Sequence, residues 1–153
     1  MKIYNQIFII ILIFINSCGY NPIYLEKKDH FSITSIKLQD KNRISFKIKN
    51  NLKKYINLEN KQKSYAVSIK SNKQIRTTSK DKKGNAKTLE YKISVQMVFS
   101  DLDNKYEKTF EETFGYQNRS NKFNLKRYEN DIQNNLIEKI VFDINQFLYQ
   151  LEK

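Results

Sequence analysis

Leu89-Glu90-Tyr91-Lys92-Ile93-Ser94-Val95-Gln96-Met97-Val98-Phe99 is the stretch that decides the fold. Its apolar residues fall at every second position, Leu89, Tyr91, Ile93, Val95, Met97 and Phe99, with polar residues between most of them. A period of two belongs to a strand with one buried face, because successive side chains leave a pleated backbone on opposite sides. Working back toward the N-terminus, Gly84-Asn85 is a hairpin signal. Beyond it Tyr65, Val67 and Ile69 alternate with Ser64, Ala66 and Ser68, and Ile75 keeps their parity, which predicts an antiparallel partner strand. Toward the C-terminus, Asp103-Asn104 suits a second tight turn, since both residue types tolerate positive φ. Tyr106, Phe110, Phe114 and Tyr116 continue the alternation on a further strand, less cleanly because Lys108 and Glu112 share their parity.

Helical periodicity flanks this meander. Ile44, Ile48, Leu52 and Ile56, joined by Tyr55, form one apolar stripe and predict a helix over 40–57 opened by an Asp40 cap. Before it, Phe31 to Leu38 reads as a strand whose apolar parity changes between Ile33 and Ile36, the mark of a bulge or bend. Leu125, Tyr128, Ile132, Leu136, Ile140, Ile144, Phe147, Leu148 and Leu151 predict a long C-terminal helix, with Glu129, Asp131, Glu138, Lys139 and Asp143 mostly off its stripe. The order β-α-β-β-β-α predicts an α+β two-layer sandwich: an antiparallel four-stranded sheet with both helices packed on one face. The other face would carry Lys92, Ser94, Gln96, Val98 and Ser100 beside Ser64, Ala66, Ser68 and Lys70, a small and mostly uncharged set. Either a solvated antiparallel face or a face packed inside a partner's polar cavity has that composition.

The N-terminus calls for a different reading. Lys2 precedes an unbroken apolar run from Ile7 to Ile15, far short of the ~20 residues a membrane-spanning helix needs. A short apolar core behind a positive start is a secretory signal, and Ile15-Asn16-Ser17-Cys18 resembles the bacterial lipobox, where the cysteine is lipidated and the chain is cut before it. Residues 1–17 are therefore expected to be signal peptide, 18–30 a lipid-anchored tether holding the only proline, Pro22, and 31–153 a single domain. Cys18 is the only cysteine, so no internal disulfide forms even in an oxidising compartment. Several acyl chains anchor stably where one does not. Gly19 follows Cys18 where an inner-membrane retention signal often has aspartate, which favours the outer membrane.

With 28 Lys and Arg against 16 Asp and Glu the chain carries a net charge of +12, mostly from lysine. In a cytosolic protein that would suggest nucleic acid; behind an export signal it suits phosphate-bearing lipid instead. Catalytic constellations are missing. His30 stands alone, and Glu111 and Glu112 are adjacent on a strand and so point to opposite faces. Asp101, Asp103 and Glu112 have calcium-loop spacing, but Lys105 and Tyr106 occupy positions that need an oxygen ligand and a glycine. Asn118-Arg119-Ser120 is a glycosylation sequon by pattern alone, and Gly19, Gly84 and Gly115 compose no phosphate-binding loop. The expectation is a non-enzyme with no cofactor beyond the lipid. One cluster remains: Lys70, Lys73, Arg76, Lys80, Lys82, Lys83 and Lys87, with Asp81 as the only acid among them. Lysine keeps strand edges soluble; the same cations also suit the phosphates of a glycolipid. Arg76 is the strongest single candidate, because its planar fork pairs phosphate bidentately.

Cys18-Gly19-Tyr20-Asn21-Pro22-Ile23-Tyr24, then Arg43 with Lys49-Asn50-x-Leu52, and Tyr116-Gln117-Asn118 resemble the lipopolysaccharide-assembly lipoprotein family LptE, in its divergent form beginning Cys-Gly-Phe/Tyr-x-Pro. The resemblance implies a sandwich domain lodged in the lumen of the outer-membrane barrel LptD, plugging it, assisting its assembly and receiving lipopolysaccharide. Cys18 carries over as the lipidation site. The family's lipopolysaccharide-contacting residues are not placed by motif, so Arg76 and its neighbours rest on charge alone. The alternative from another class is a periplasm-facing lipoprotein that only scaffolds or inhibits a protein partner.

Overall fold

The computed structural model describes residues 31–59 and 63–151. The signal peptide, Cys18, the tether and His30 lie outside the described residues. Four strands and two helices follow in the expected order: β1 (Phe31–Leu38), α1 (Arg43–Leu52), β2 (Lys63–Lys80), β3 (Ala86–Ser100), β4 (Lys105–Gln117) and α2 (Lys122–Gln150). The sheet order is β1-β2-β3-β4. Tyr91, Ile93, Val95, Met97 and Phe99 are all buried on one face of β3, as the alternation requires. Both hairpins close where the turn residues stand, with Gly84 at φ +84° and its N–H donating to the Asp81 carbonyl at 3.0 Å. The second turn does not use positive φ at Asp103 or Asn104; instead Asp101 Oδ1 accepts from their N–H groups at 2.9 and 2.6 Å.

The sheet is mixed rather than wholly antiparallel. β2, β3 and β4 form the antiparallel meander, but β1 pairs parallel with β2, from Phe31 opposite Lys63 to Leu38 opposite Ile69. The cause is the connection: α1 carries the chain back over the sheet, so β2 starts at the same end as β1. The parity change within β1 is a real irregularity. The register shifts between Ile33 and Ser35, so Phe31 and Ile33 face the core before the shift, and Ile36 and Leu38 pack on it afterwards.

The first helix is shorter than its stripe suggests. Its N-cap is Asn42, whose Oδ1 accepts from the Ile44 and Ser45 N–H groups at 2.9 and 3.0 Å. After Leu52 the chain tightens into a 3₁₀ turn, Lys53–Tyr55, and leaves the helix, with Asn57 in the left-handed region at φ 54°. Ile56 bridges Ile33 instead of extending the helix, and the Asn57 N–H donates to the Ile33 carbonyl at 3.1 Å, covering part of the outer edge of β1.

Helix α2, capped by Asn121, lies along β3 and β4. Phe147 packs on Phe99 and Phe110 with ring centroids 5.4 and 5.9 Å away, and Tyr128 meets Tyr116 edge-on at 6.0 Å. Lys47 of α1 bonds to Asn134 of α2, and from the turn after α1 the Tyr55 hydroxyl donates to Asn145 Oδ1 at 3.1 Å. The imperfect parity of β4 has a local reason. It is an edge strand among the described residues, so Lys108 places its ammonium 5.8 Å from the Phe147 ring centroid, and Glu112 faces Lys139 at 3.9 Å along the flank of α2. No helix among the described residues is long and apolar enough to cross a membrane.

The candidate functional site: an open sheet face and a basic hairpin

With both helices on one side, no element among the described residues covers the opposite face of the sheet. Register fixes its rows from β2 across β3 to β4. Ser68, Val98 and Glu107 share one row; Lys70, Gln96 and Thr109 the next; then Asn72, Ser94 and Glu111; then Gln74, Lys92 and Thr113; then Arg76, Glu90 and Gly115. Along β3 the middle of the face is Val98, Gln96 and Ser94, flanked by Lys70 on β2 and Glu111 on β4. Several of its charges are paired: Lys92 Nζ donates to Glu111 at 2.8 Å, which with the Ser94 hydroxyl holds the Glu111 carboxyl below its ordinary pKa. Toward β1, Ser32 and Ser64 share a 2.8 Å hydroxyl contact and Gln39 donates to Ser68 Oγ at 2.9 Å. Hydrogen bonds within the face thus satisfy several of its polar groups.

The basic cluster is divided by the sheet. Lys70 and Arg76 stand on the open face, Lys70 in mid-strand opposite Gln96. Lys73, opposite Ile93, belongs to the helix-covered side, and Lys87 has the parity of Leu89 on that same side. Lys80 ends β2 beyond two register shifts, and Lys82 and Lys83 occupy the turn. Lys80, Lys82, Lys83 and Lys87 do gather at one end of the sheet. Arg76 is less free than its sequence context suggests: its Nε donates to Glu90 Oε1 at 2.7 Å, on a carboxylate whose side chain is 22% exposed against 63% for the arginine. Its remaining guanidinium N–H groups stay available at the surface. Glu90 was missed in the sequence because only the hairpin register brings it opposite Arg76.

Asp81, the only acid in the cluster, is occupied by the turn. Its Oδ1 accepts from the Lys83 and Asn85 N–H groups at 2.8 and 2.9 Å, and its Oδ2 from the Asn85 side chain at 3.2 Å. The Asn85 backbone bond is the main cause that lowers its pKa, followed by the Asn85 amide. The carboxylate therefore shapes the loop rather than pairing with a lysine head group. Beside it, Thr88 shares its hydroxyl with Thr78 and Ser79 at 2.7 and 2.6 Å, stitching the strands where their register slips.

Beneath the sheet lies a polar network that hydropathy alone did not reveal. The Tyr91 hydroxyl donates to Gln133 Oε1 at 2.8 Å, and the Tyr116 hydroxyl to Glu129 Oε1 at 2.7 Å. Burial, then the Glu129 charge, pushes the Tyr91 pKa up to about 12; burial and the bond to Glu129 raise that of Tyr116 further. These tyrosines tie α2 to the sheet, and their partners explain why a polar Gln133 is buried on the helix.

No protein-family model matches the chain, and no curated protein matches it by sequence. Solved structures do share its fold. Rare lipoprotein B from Shewanella oneidensis aligns with a TM-score of 0.59 at 10% identity, over 80% of this chain and 100% of that one. A minor lipoprotein from Acinetobacter baumannii aligns at 0.60 with 16% identity, covering 79% and 92% of the two chains. A lipoprotein from Caulobacter crescentus aligns at 0.53 with 13% identity, covering 80% and 90%. The chain has the sandwich fold of these bacterial lipoproteins.

Proposed function

We propose that this chain is an outer-membrane lipoprotein, held by lipid on Cys18, that plugs and helps assemble the LptD β-barrel and assists delivery of lipopolysaccharide to the cell surface. The open sheet face carries this reading. A face whose centre along β3 is Ser94, Gln96 and Val98, with Lys92 paired to Glu111, suits contact with a polar barrel wall. The lipobox-like Ser17-Cys18, the LptE-like residues that follow it and the fold shared with other lipoproteins support the same reading. The two ends of the sheet add a direction. The chain enters β1 beside Lys63, whereas the basic turn lies past Lys80, roughly 55 Å away along β2 at ~3.3 Å per residue. A domain tethered at one end would thus present its basic turn far from the point where the chain enters β1, where lipopolysaccharide phosphates could meet it. No catalytic role and no cofactor enter this proposal.

The test is affinity purification of tagged protein from detergent-solubilised outer membranes. LptD should co-purify, and Ser94→Arg with Gln96→Glu should weaken the complex without altering the fold of the isolated domain. If no barrel co-purifies, the scaffold alternative replaces this reading.

A further inference from the structure

β2 outlasts its neighbour. β1 pairs with it only as far as Leu38 opposite Ile69, and among the described residues no strand lies beside Lys70–Lys80 on that side. The side chains of the β1–α1 connection complete one more step: Asp40 Oδ2 accepts from the Ser71 N–H at 2.6 Å, and Asn42 Nδ2 donates to the Ser71 carbonyl at 3.1 Å. Like the Ile69 carbonyl, which accepts from the Gln39 N–H at 2.8 Å, both Ser71 groups point away from β3. Backbone direction alternates along an antiparallel strand. The N–H and C=O groups of Lys73, Ile75 and Thr77 therefore point the same way, up to the register shift after Thr77. Among the described residues no strand meets them.

Lysine at an edge can simply discourage pairing. Two features of this edge instead suit an occupant. β2 holds Lys63, Lys70, Lys73, Arg76 and Lys80 and no acid, whereas the outer edge of β4 mixes Lys105 and Lys108 with Glu107, Glu111 and Glu112. At the midpoint of the free stretch stands Ile75, 40% exposed opposite the buried Tyr91, an apolar foothold between cations. We propose that the β2 edge from Lys73 to Thr77 receives an extended acidic segment of a protein partner as an added strand. Backbone hydrogen bonds supply the attachment, Ile75 takes an apolar side chain, and Lys73 and its neighbours select for acids. This is independent of the barrel-plug reading, which concerns the open face.

The probe is a short capped peptide of alternating glutamate and valine, added to the protein in mild detergent, beside the same peptide N-methylated at alternate amides. Binding should slow hydrogen exchange at the Lys73, Ile75 and Thr77 amides and leave Asn72 and Gln74, already bonded to β3, unchanged. The methylated peptide, equal in charge but deprived of its donors, should bind about tenfold more weakly or worse. Ile75→Pro should weaken the unmodified peptide similarly while the β2–β3 ladder survives, because proline is tolerated where the N–H faces outward. Equal binding of both peptides would overturn the proposal in favour of charge attraction alone. So would absence of peptide binding, or protection of the same amides by self-association of the protein without peptide.

Discussion

Asp40 accepts a 2.6 Å hydrogen bond from the backbone N–H of Ser71, joining the point where β1 stops to the point where β2 loses its strand neighbour. The same aspartate accepts from the Asn42 N–H at 3.2 Å, and Asn42 in turn caps α1 and takes the Ser71 hydroxyl at 2.9 Å. Ser45 completes the cluster with a 2.7 Å contact to Ser71 Oγ. One loop thus ends a strand, starts a helix and holds both to β2.

Asp40→Ala should lower stability by about 1–3 kcal/mol, the usual scale for deleting a charged acceptor and stranding its donor. Urea denaturation of the domain should show a lower midpoint with an unchanged slope, because the loss is local. Asp40→Asn, which retains one acceptor oxygen, should fall between. A neutral Asp40→Ala would mean that the Ser71 N–H is satisfied by water and the clamp contributes nothing.

Val95 lies at the centre of β3 and is fully buried, while its neighbour Gln96 is exposed on the open face. Val95→Asp should abolish folding or cost more than ~3 kcal/mol, since no partner is available for an interior charge. Gln96→Asp should change the urea midpoint little. Far-UV circular dichroism of the pair reads out the parity of the strand directly.

That parity was legible because β3 is central, packed by helices on one face and open on the other, so that hydropathy records its geometry almost without interference. Edge elements were less clear for a physical reason. Lys108 and Glu112 sit at core parity because β4 is an edge strand among the described residues, and their long side chains reach the flank of α2. Ile56 mimicked helical spacing although it serves β1 from outside the helix. The parallel pairing of β1 has no signature in its own residues; it follows from where α1 delivers the chain. At the candidate site, the cations were visible as a sequence cluster, but the division between faces and the capture of Arg76 by Glu90 depend on register.

The Tyr91 pKa is raised above its ordinary 10 to about 12, chiefly by burial. A raised folded-state pKa means that the neutral phenol contributes its stability fully below pH 10, and that this contribution is lost as pH rises from 10 through about 12. Tyr116 acts in the same direction, through burial and the Glu129 carboxylate. The domain should therefore lose stability steeply across that alkaline window. Tyr91→Phe should remove part of the slope, though it strands Gln133 and so lowers stability at neutral pH. Thermal melts of both proteins as a function of pH check this, and identical alkaline slopes would exclude Tyr91 as a source.

The division of the cations between faces makes the glycolipid reading testable in a way that net charge does not. If lipopolysaccharide phosphates bind at the open face and the turn, Lys80, Lys82 and Lys83 should matter together, with Lys70 and the free N–H groups of Arg76 adding to them. Lys73, on the helix-covered side, should matter least. Single surface pairs contribute only ~0–1 kcal/mol, so single substitutions should be nearly silent. Changing Lys80, Lys82 and Lys83 together to glutamate should abolish binding to purified glycolipid in low salt while leaving the thermal midpoint close to that of the parent. Arg76 is better changed to glutamine, because a glutamate there would face Glu90 across the hairpin. The control for bulk charge must lie at the other end of the molecule. Lys53, Lys54 and Lys105 serve, since they are exposed near the end where the chain enters β1, whereas Lys122, Lys126 and Arg127 open α2 beside the basic end. Reversing Lys53, Lys54 and Lys105 should leave most of the binding intact, and both proteins should weaken with salt as screening shortens the reach of the remaining cations. Equal loss in the two triple variants would show that total positive charge attracts the glycolipid and that the hairpin has no special part in it.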